Sequence, residues 1–147
     1  KTARILGFSY PGGPKLAKLA SMPKLSLGAP KLSLGIKLPR PMMNTRDFDF
    51  SFSGLKTAVL YDHKERTKKV RESKEYIRAM AKEVQQSIID VLLKKTLRAQ
   101  EQYNAKSVIL GGGVCANDEL REQLAGELKK EKVELFLPEK SLATDKE

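Results

Sequence analysis

The sequence has very few of the residues that build disulfides, zinc sites and histidine-based catalytic groups. Its 147 residues include one cysteine, Cys115, and one histidine, His63. A single cysteine excludes an internal disulfide and any zinc site made of cysteines, and it fits a reducing cytoplasm. A single histidine excludes a histidine pair for a metal within these residues. We expect His63 to be an exposed bystander, because its charged neighbours offer no obvious partner for a switch or a ligand.

Long apolar runs are missing as well, and acidic residues are outnumbered. No apolar run approaches the roughly 20 residues that cross a bilayer, so the sequence predicts no membrane-spanning helix. Lysine and arginine total 28 against 18 acidic residues, which gives a formal net charge of +10. This balance favours an anionic partner such as nucleic acid, because binding to phosphates releases condensed counterions. The charge alone is also compatible with a basic protein that binds no nucleic acid.

The length suits one domain with a real core and is too short for two ordinary domains. The first residues, from Lys1 to Phe8, are typical of the end of a helix already under way. The last residues stop just after a predicted turn from a strand to a helix. We therefore expect the chain to be a fragment of a longer protein.

The first half of the chain alternates between predicted helices and irregular segments. A tight turn at Tyr10–Pro14 precedes a helix, and PKLSLG then occurs twice, from Pro23 and from Pro30, which predicts an irregular loop over residues 21–41. In DFDFSFSGLKTAV (47–59), three phenylalanines alternate with polar residues, which predicts a strand that gives way to a helix with Ser53 as its N-cap. Lys56 then lies in the first turn, where a cation mildly opposes the helix dipole.

The second half predicts a long helix followed by a strand, a helix and a second strand. The helix spans about residues 75–102, with an apolar stripe through Met80 and Val84, and with Lys94 and Lys95 among the residues largely off it. A strand at SVILGGG (107–113), a helix from Asn117 and a strand at VELFLP (133–138) form a parallel crossover. The sequence therefore predicts the α/β class.

The glycines of GGGVCAN (111–117) lie between a predicted strand and a predicted helix, and three interpretations remain open. Free backbone N–H groups there suit a phosphate, which makes Gly112 and Gly113 anion-binding candidates. Gly111, Gly113 and Ala116 also match the dinucleotide fingerprint, with Glu131, Glu134 or Glu139 as possible ribose ligands. The third interpretation is a tight turn that ends in an asparagine cap. The phosphate loop of nucleoside triphosphatases is excluded, because no lysine followed by serine or threonine comes after these glycines.

Several motifs together resemble the tRNA N6-adenosine threonylcarbamoyltransferase family, once called O-sialoglycoprotein endopeptidase. They occur in the family's order and approximate spacing: YPGGP (10–14), PRP (39–41), DFSFSGLKTA (49–58), LGGGVCAN (110–117) followed by LR, and TD (144–145). The resemblance covers nearly the whole chain except the PKLSLG repeat and the charged run near residue 70. It implies a partial C-terminal lobe of an actin-like ATPase fold, also called ribonuclease H-like, in which two lobes enclose a nucleotide-binding cleft.

The resemblance also implies an activity and roles for single residues. The family transfers a threonylcarbamoyl group from threonylcarbamoyl-AMP to N6 of the adenosine next to the anticodon in tRNA, in the cytoplasm and with accessory proteins. By resemblance, Gly13 and Asn117 bind the substrate and Asp145 binds one divalent metal ion, iron or zinc, that polarises the carbamoyl carbonyl. Lys56 gains a hypothesis too, since a lysine at a second strand-to-helix corner, beside Ser53 and Gly54, can contact an anion.

The sequence departs from the family pattern at the metal site and near the substrate. The family's paired histidines, spaced on a helix of the first lobe, do not occur in these residues, and one carboxylate binds a transition metal weakly by itself. Ala17 stands where many relatives carry a polar residue. We therefore expect the chain alone to be inactive, with no catalytic residue identified in it. A Rossmann-type dinucleotide domain and a non-catalytic basic scaffold for RNA or proteins remain the alternatives.

Overall fold

The computed structural model describes residues 2–22 and 34–138 of the chain. Contacts between residues divide the chain into two units. Unit 1 comprises Lys1–Met42 and Phe50–Asp90, and unit 2 comprises Met43–Asp49 and Val91–Glu147. Most of the irregular loop predicted over residues 21–41, including nearly all of the PKLSLG repeat, lies outside the described residues.

The described part of unit 1 is helical. Its helices are α1 (Thr2–Ile5), α2 (Gly12–Ser21), α3 (Ser53–Glu65), α4 (Lys68–Arg71) and the first part of α5 (Lys74–Tyr103). Helices α2 and α3 each pack against α1. The core of the unit consists of Leu6, Leu38, Leu55, Val59, Tyr76, Met80 and Val84. Leu55 and Val59 are four residues apart on α3, so both side chains lie on the helix face that meets this core.

Helix α5 confirms the long predicted helix and extends it by one residue at each end. It ends where Asn104 adopts a left-handed conformation with φ of +49°. The Asn104 N–H donates to the carbonyl of Glu101, and the Ala105 N–H donates to that of Gln100. These two bonds form a Schellman motif, which satisfies carbonyls that the last helical turn leaves open. The prediction that Lys95 lies on the polar side is wrong, because Lys95 is 1% exposed.

Unit 2 contains two strands joined by a helix, as the sequence predicts. Strand β1 (Ser107–Ile109) pairs in parallel with β2 (Glu134–Phe136), and α6 (Asp118–Lys130) connects them. One face of the sheet, through Val108 and Leu135, packs against a cluster that includes Leu124 and Leu128 of α6. These elements confirm the α/β class.

The strand predicted over residues 47–53 is wrong, and so is the Ser53 N-cap. Residues 48–52 form no regular structure, helix α3 begins at Ser53, and its N-cap position is Phe52, which makes no side-chain cap. The Asp47 carboxylate accepts from the Asp49 N–H at 3.0 Å, and this local bond competes with a strand ladder. The alternating phenylalanines are also divided between the units. The ring of Phe48 lies 5.7 Å from that of Tyr103 in unit 2, at a tilted angle, whereas Phe52 packs on the core of unit 1.

Across residues 2–22 and 34–138, no helix is both long enough and apolar enough to span a membrane. The long helix α5 carries a charged or polar residue in almost every turn.

Candidate functional site

The glycine turn, residues Gly111–Asn117, begins one residue beyond the end of β1, after Leu110, and leads into α6. Gly112 has φ of +77°, a conformation that residues with a Cβ rarely adopt. A short 3₁₀ helix (Gly113–Ala116) comes next, within which the Cys115 N–H donates to the Gly112 carbonyl at 3.0 Å. All three glycines are exposed, and a Cβ built on any of them meets no atom within 4 Å. The main chain of this turn is therefore open to close approach.

Asn117 is the N-cap of α6, as predicted. Its Oδ1 accepts a hydrogen bond from the Leu120 N–H at 3.0 Å, which satisfies one of the backbone donors that the first helical turn leaves free. Asp118 and Glu119 occupy the same first turn. Their negative charges complement the helix dipole and oppose a phosphate directly at this helix end. The glycine side of the turn is accordingly the more favourable approach for an anion.

Arg121 connects the glycine turn to the end of β2, a role that no sequence pattern predicted. Its Nε donates to the carbonyl of Cys115, and its Nη2 donates to the carbonyl of Pro138 at 2.9 Å. The LR pair that follows the family motif includes Arg121, so the sequence marked this residue. The motif did not indicate its partners, because Pro138 lies in a different part of the sequence.

Gly12 and Gly13, at the start of α2, differ sharply in their surroundings. A Cβ on Gly12 would lie 2.3 Å from the Cβ of Ala3, which is buried. A Cβ on Gly13 meets nothing within 4 Å, and Gly13 is exposed. The packing of α1 on α2 therefore requires glycine at position 12, whereas the fold places no such requirement on Gly13.

Lys56 lies in the first turn of α3 and is exposed. The strand-to-helix corner predicted around it is wrong in its first part, because no strand precedes α3 in the described residues. The Ser53 hydroxyl lies 3.2 Å from that of Ser51 and does not cap the helix. The side chain of Lys56 remains accessible to an anionic partner.

Arg40, the centre of the PRP motif, fixes its segment to α5. The guanidinium donates to the Leu38 carbonyl at 2.8 Å, to Asp90 at 2.9 Å and to Glu83. Glu83 also accepts from the Leu38 N–H at 3.1 Å. The hydrogen bond to Glu83 is the main cause that raises the pKa of Arg40. This residue is a structural clamp within unit 1.

Lys95 fixes the segment Met43–Asp49 to α5 within unit 2. Its ammonium donates to the Asp47 carboxylate at 2.9 Å and to the Thr45 hydroxyl at 2.7 Å, while its side chain is fully buried. The hydrogen bond from Lys95 is the main cause that lowers the pKa of Asp47 to about 2, and the one from Thr45 adds to it. Arg98 supports the same segment by donating to the carbonyls of Thr45 and Asp47.

His63 is half-buried, so the expectation of an exposed bystander is wrong. Its ring centroid lies 6.0 Å from that of Tyr76, whose hydroxyl donates to Asp62 at 2.9 Å. Asp62 also pairs with Arg66 at 2.9 Å. Burial, followed by the bond to Asp62, raises the pKa of Tyr76. The charged run is therefore partly a structural network and not only a solvated surface.

The predicted site residues fall into three groups. Gly112, Gly113 and Asn117 lie together in the glycine turn of unit 2. Gly13 and Lys56 lie in the first turns of two helices of unit 1. Asp145, and Glu139 of the dinucleotide alternative, lie outside the described residues. Within the ranges that the structure does describe, no three His, Cys, Asp or Glu side chains come together as metal ligands, so these residues do not by themselves form a metal site.

Comparison with known proteins gives one consistent result. The family profile described as "TsaD: tRNA N6-adenosine threonylcarbamoyltransferase" matches residues 1–147. The protein of that name from Ralstonia pickettii is 41% identical over 146 residues, which cover 99% of this chain and 40% of the relative. Those from Variovorax paradoxus and Shouchella clausii are 43% and 42% identical over 145 residues, covering 99% of this chain in both cases and 38% and 40% of the relatives. The chain thus spans about two fifths of the length of these relatives.

Proposed function

The chain belongs to the tRNA N6-adenosine threonylcarbamoyltransferase family, and from this premise we propose that the natural protein carrying it is such a transferase. It moves a threonylcarbamoyl group from threonylcarbamoyl-AMP to N6 of the adenosine next to the anticodon in tRNA. These residues contribute part of the C-terminal lobe of an actin-like fold, and alone they give no modified adenosine. The open glycine turn at the carboxyl end of β1, next to a capping asparagine, is the observation that carries the proposal.

In this proposal the adenylate lies against the glycine turn. An acyl adenylate presents one phosphate, a ribose and an adenine, which need backbone donors, hydrogen-bonding side chains and close approach to the main chain. The exposed backbone at Gly112 and Gly113 supplies the donors, and the Asn117 side chain lies at the end of the same turn. Gly13, whose backbone is exposed, is proposed as a substrate-binding residue by family resemblance alone. The Asn117 oxygen serves the helix cap, so its amide group is held in one orientation.

The tRNA partner is supported by charge. Lys64, Lys68, Lys69 and Lys74 are exposed, and none of these four side chains makes a hydrogen bond or ion pair with another described residue. Unpaired ammonium groups of this kind bind a phosphate backbone through counterion release. Lys56 is another exposed lysine of the same unit.

The metal, the cellular location and the accessory proteins rest on family membership. Asp145 is the proposed ligand of one divalent ion, iron or zinc, and the other ligands come from outside this chain. When bound, such an ion acts as a Lewis acid on a carbonyl. The proposed location is the cytoplasm, where further proteins of the threonylcarbamoyl pathway assist the enzyme.

Substitution of Asn117 in the natural protein tests the proposal. Asn117→Asp keeps an oxygen that can cap α6, so we expect the helix to keep its N-cap. The added negative charge faces the adenylate phosphate, and we expect the affinity for a non-hydrolysable threonylcarbamoyl-AMP analogue, measured by calorimetry, to fall about tenfold or more. The same change of an amide to a carboxylate at exposed Gln102, also in unit 2, is the matched control.

The control should bind the analogue as wild type does. If Asn117→Asp also binds it with unchanged affinity and transfers the group at an unchanged rate, Asn117 is not a substrate residue. Fluorescence enhancement of NADH on mixing with the wild-type protein would instead support the dinucleotide alternative.

A further inference from the structure

We propose that Arg121 is a positioning residue that fixes the two chain segments leaving the carboxyl ends of β1 and β2 relative to each other. Its role in substrate binding rests on the proposed function. Its role in ordering the glycine turn does not, and it can be measured without any ligand.

Arg121 forms hydrogen bonds to two separate chain segments. The guanidinium of Arg121 donates in two directions, from Nε to the Cys115 carbonyl and from Nη2 to the Pro138 carbonyl at 2.9 Å. Cys115 belongs to the glycine turn, and Pro138 follows β2. A guanidinium is planar and presents its donors as a rigid fork, so the two carbonyls are held at one fixed separation.

The two strands of the sheet are short. Each strand has three residues, and the last ladder bond runs from the Leu110 N–H to the Phe136 carbonyl at 3.1 Å. Beyond that bond, the backbone of the glycine turn no longer pairs with β2. Arg121 therefore connects the segments just where the ladder stops.

Both segments leave the sheet at the carboxyl ends of its strands. Ligands of open α/β sheets bind outside the carboxyl ends of the strands, where the following loops meet. The glycine turn leaves β1 at this edge of the sheet, and Pro138 follows β2 there. Arg121 thus joins the proposed adenylate turn to the chain that leaves β2.

Burial adds an energetic reason for an arginine at this position. Cys115 is fully buried, and its carbonyl accepts from Arg121 in a partly buried site. Loss of the guanidinium leaves the Cys115 carbonyl without its charged donor and with reduced access to water. A lysine has one ammonium group and cannot reproduce the fork to both carbonyls.

The test compares Arg121→Ala with Arg98→Ala in the natural protein. Arg98 is a matched control, because it too donates to two main-chain carbonyls of unit 2, those of Thr45 and Asp47, away from the glycine turn. In the turn, the Cys115 N–H donates to the Gly112 carbonyl and the Asn117 N–H to the Val114 carbonyl. Without ligand, hydrogen exchange of these two bonded amides should become about tenfold faster in Arg121→Ala and stay unchanged in Arg98→Ala. Equal exchange rates in wild type and Arg121→Ala would overturn the proposal.

Two further measurements separate positioning from stability. Arg121→Ala should raise the KM for the adenylate about tenfold while the KM for tRNA stays within about twofold of wild type, and added guanidinium should recover part of this loss. Arg121→Lys should not recover it. An equal rise of the adenylate KM in Arg98→Ala would show a general loss of stability and would contradict positioning.

The outcomes also distinguish this inference from the proposed function. If wild type binds no adenylate, the proposed function fails, while faster exchange in Arg121→Ala still supports the ordering role. If Arg121→Ala does not fold, Arg121→Lys takes its place in the exchange measurement. If exchange in Arg121→Lys then equals that of wild type, the two-directional donors of the guanidinium are not required, and the proposal is contradicted.

Discussion

At the scale of single residues, the ion pair between Asp47 and Lys95 makes stability depend on acid pH. The pair lowers the pKa of Asp47 from its usual 3.8 to about 2 in the folded chain. A lowered folded-state pKa means that the stabilisation is complete above the unfolded value and is lost as pH falls from about 3.8 towards about 2. We expect wild type to be more stable than Asp47→Asn at pH 6, and the difference in urea midpoints to shrink towards pH 2.

The control for this prediction is Asp49→Asn. Asp49 is exposed, two residues away, and its carboxylate is not bonded to Lys95. The difference in urea midpoint between Asp49→Asn and wild type should vary little over the same pH range. A constant difference between wild type and Asp47→Asn from pH 6 to pH 2 would contradict the ion pair.

The two adjacent glycines of α2 give a second prediction at this scale. Gly12→Ala places a Cβ 2.3 Å from that of Ala3, so we expect a loss of about 1–3 kcal/mol in the free energy of unfolding. Gly13→Ala enters open space in a helix, where alanine is favoured over glycine, and stability should stay equal or rise by up to about 1 kcal/mol. Thermal unfolding of both variants measures this contrast.

The same pair separates folding from binding. If Gly13 contacts the adenylate, Gly13→Ala should weaken the analogue's binding in calorimetry although the protein is as stable as wild type. Unchanged binding in that variant would remove Gly13 from the proposed site.

Single residues differed in how well the sequence predicted them, and the reason is the range of the interaction. The Asn117 cap depends on a donor three residues away, so the local pattern was sufficient. The burial of Lys95 depends on Asp47 and Thr45, which lie 48 and 50 residues away in the sequence. A helical pattern places a lysine on the polar side unless a partner of this kind is known.

At the scale of elements, the clamp formed by Arg40 fixes the PRP segment to α5. Asp90 and Glu83 are seven residues apart, which puts them on one face of the helix, and Arg40 bonds to both. Arg40→Lys keeps the charge but cannot reach both carboxylates and the Leu38 carbonyl together. We expect a loss of about 1–2 kcal/mol in the free energy of unfolding, since the site is largely but not fully buried.

Chemical denaturation of Arg40→Lys and Arg4→Lys tests the clamp. Arg4 also lies in unit 1, on α1, but it is exposed, and its side chain bonds to no other described residue. The control should lose less than about 0.5 kcal/mol, as ordinary surface substitutions do. Equal losses in the two variants would show that the bridging geometry of Arg40 contributes nothing.

The elements that the sequence predicted correctly have strong local signals. Helices α5 and α6 carry regular apolar spacing and clear caps, and β1 and β2 are short runs of apolar residues beside turns. The segment 47–53 has an equally regular alternation, yet it forms no strand. Its phenylalanines serve two separate units, and Asp47 bonds to the backbone locally. Alternation indicates a strand only when one surface receives all the side chains of one face.

At the scale of the whole molecule, the sequence predicted the local structure of the candidate site better than its assembly. The glycine turn and the asparagine cap follow from residues that are contiguous in the chain. Gly13 and Asn117 belong to different units, and no local pattern relates them. Arg121 was missed for the same reason, because its second partner is reached only through the pairing of β1 with β2.

The net charge of +10 gives the last prediction, which concerns the surface that the proposed tRNA partner would contact. The lysines at positions 64, 68, 69 and 74 have no side-chain partner among residues 2–22 and 34–138. All four lie in unit 1, between the C-terminal turn of α3 and the start of α5. Each phosphate contact contributes about −0.7 to −0.9 to the slope of the logarithm of the binding constant against the logarithm of salt concentration. Changing all four lysines to glutamine should therefore make the slope for tRNA less steep by about 3 if all four contact phosphates.

A set with the same charge change is the control: Lys18, Lys82, Lys129 and Lys132 to glutamine, all exposed and without a partner among the described residues. Filter binding of a tRNA from about 50 to 200 mM salt measures both sets against wild type. A flatter slope in the first set alone locates the phosphate contacts on this segment, because a uniform electrostatic attraction would respond only to net charge. Equal slopes in the two sets would mean that total charge alone attracts the tRNA and that the segment is not part of its binding surface.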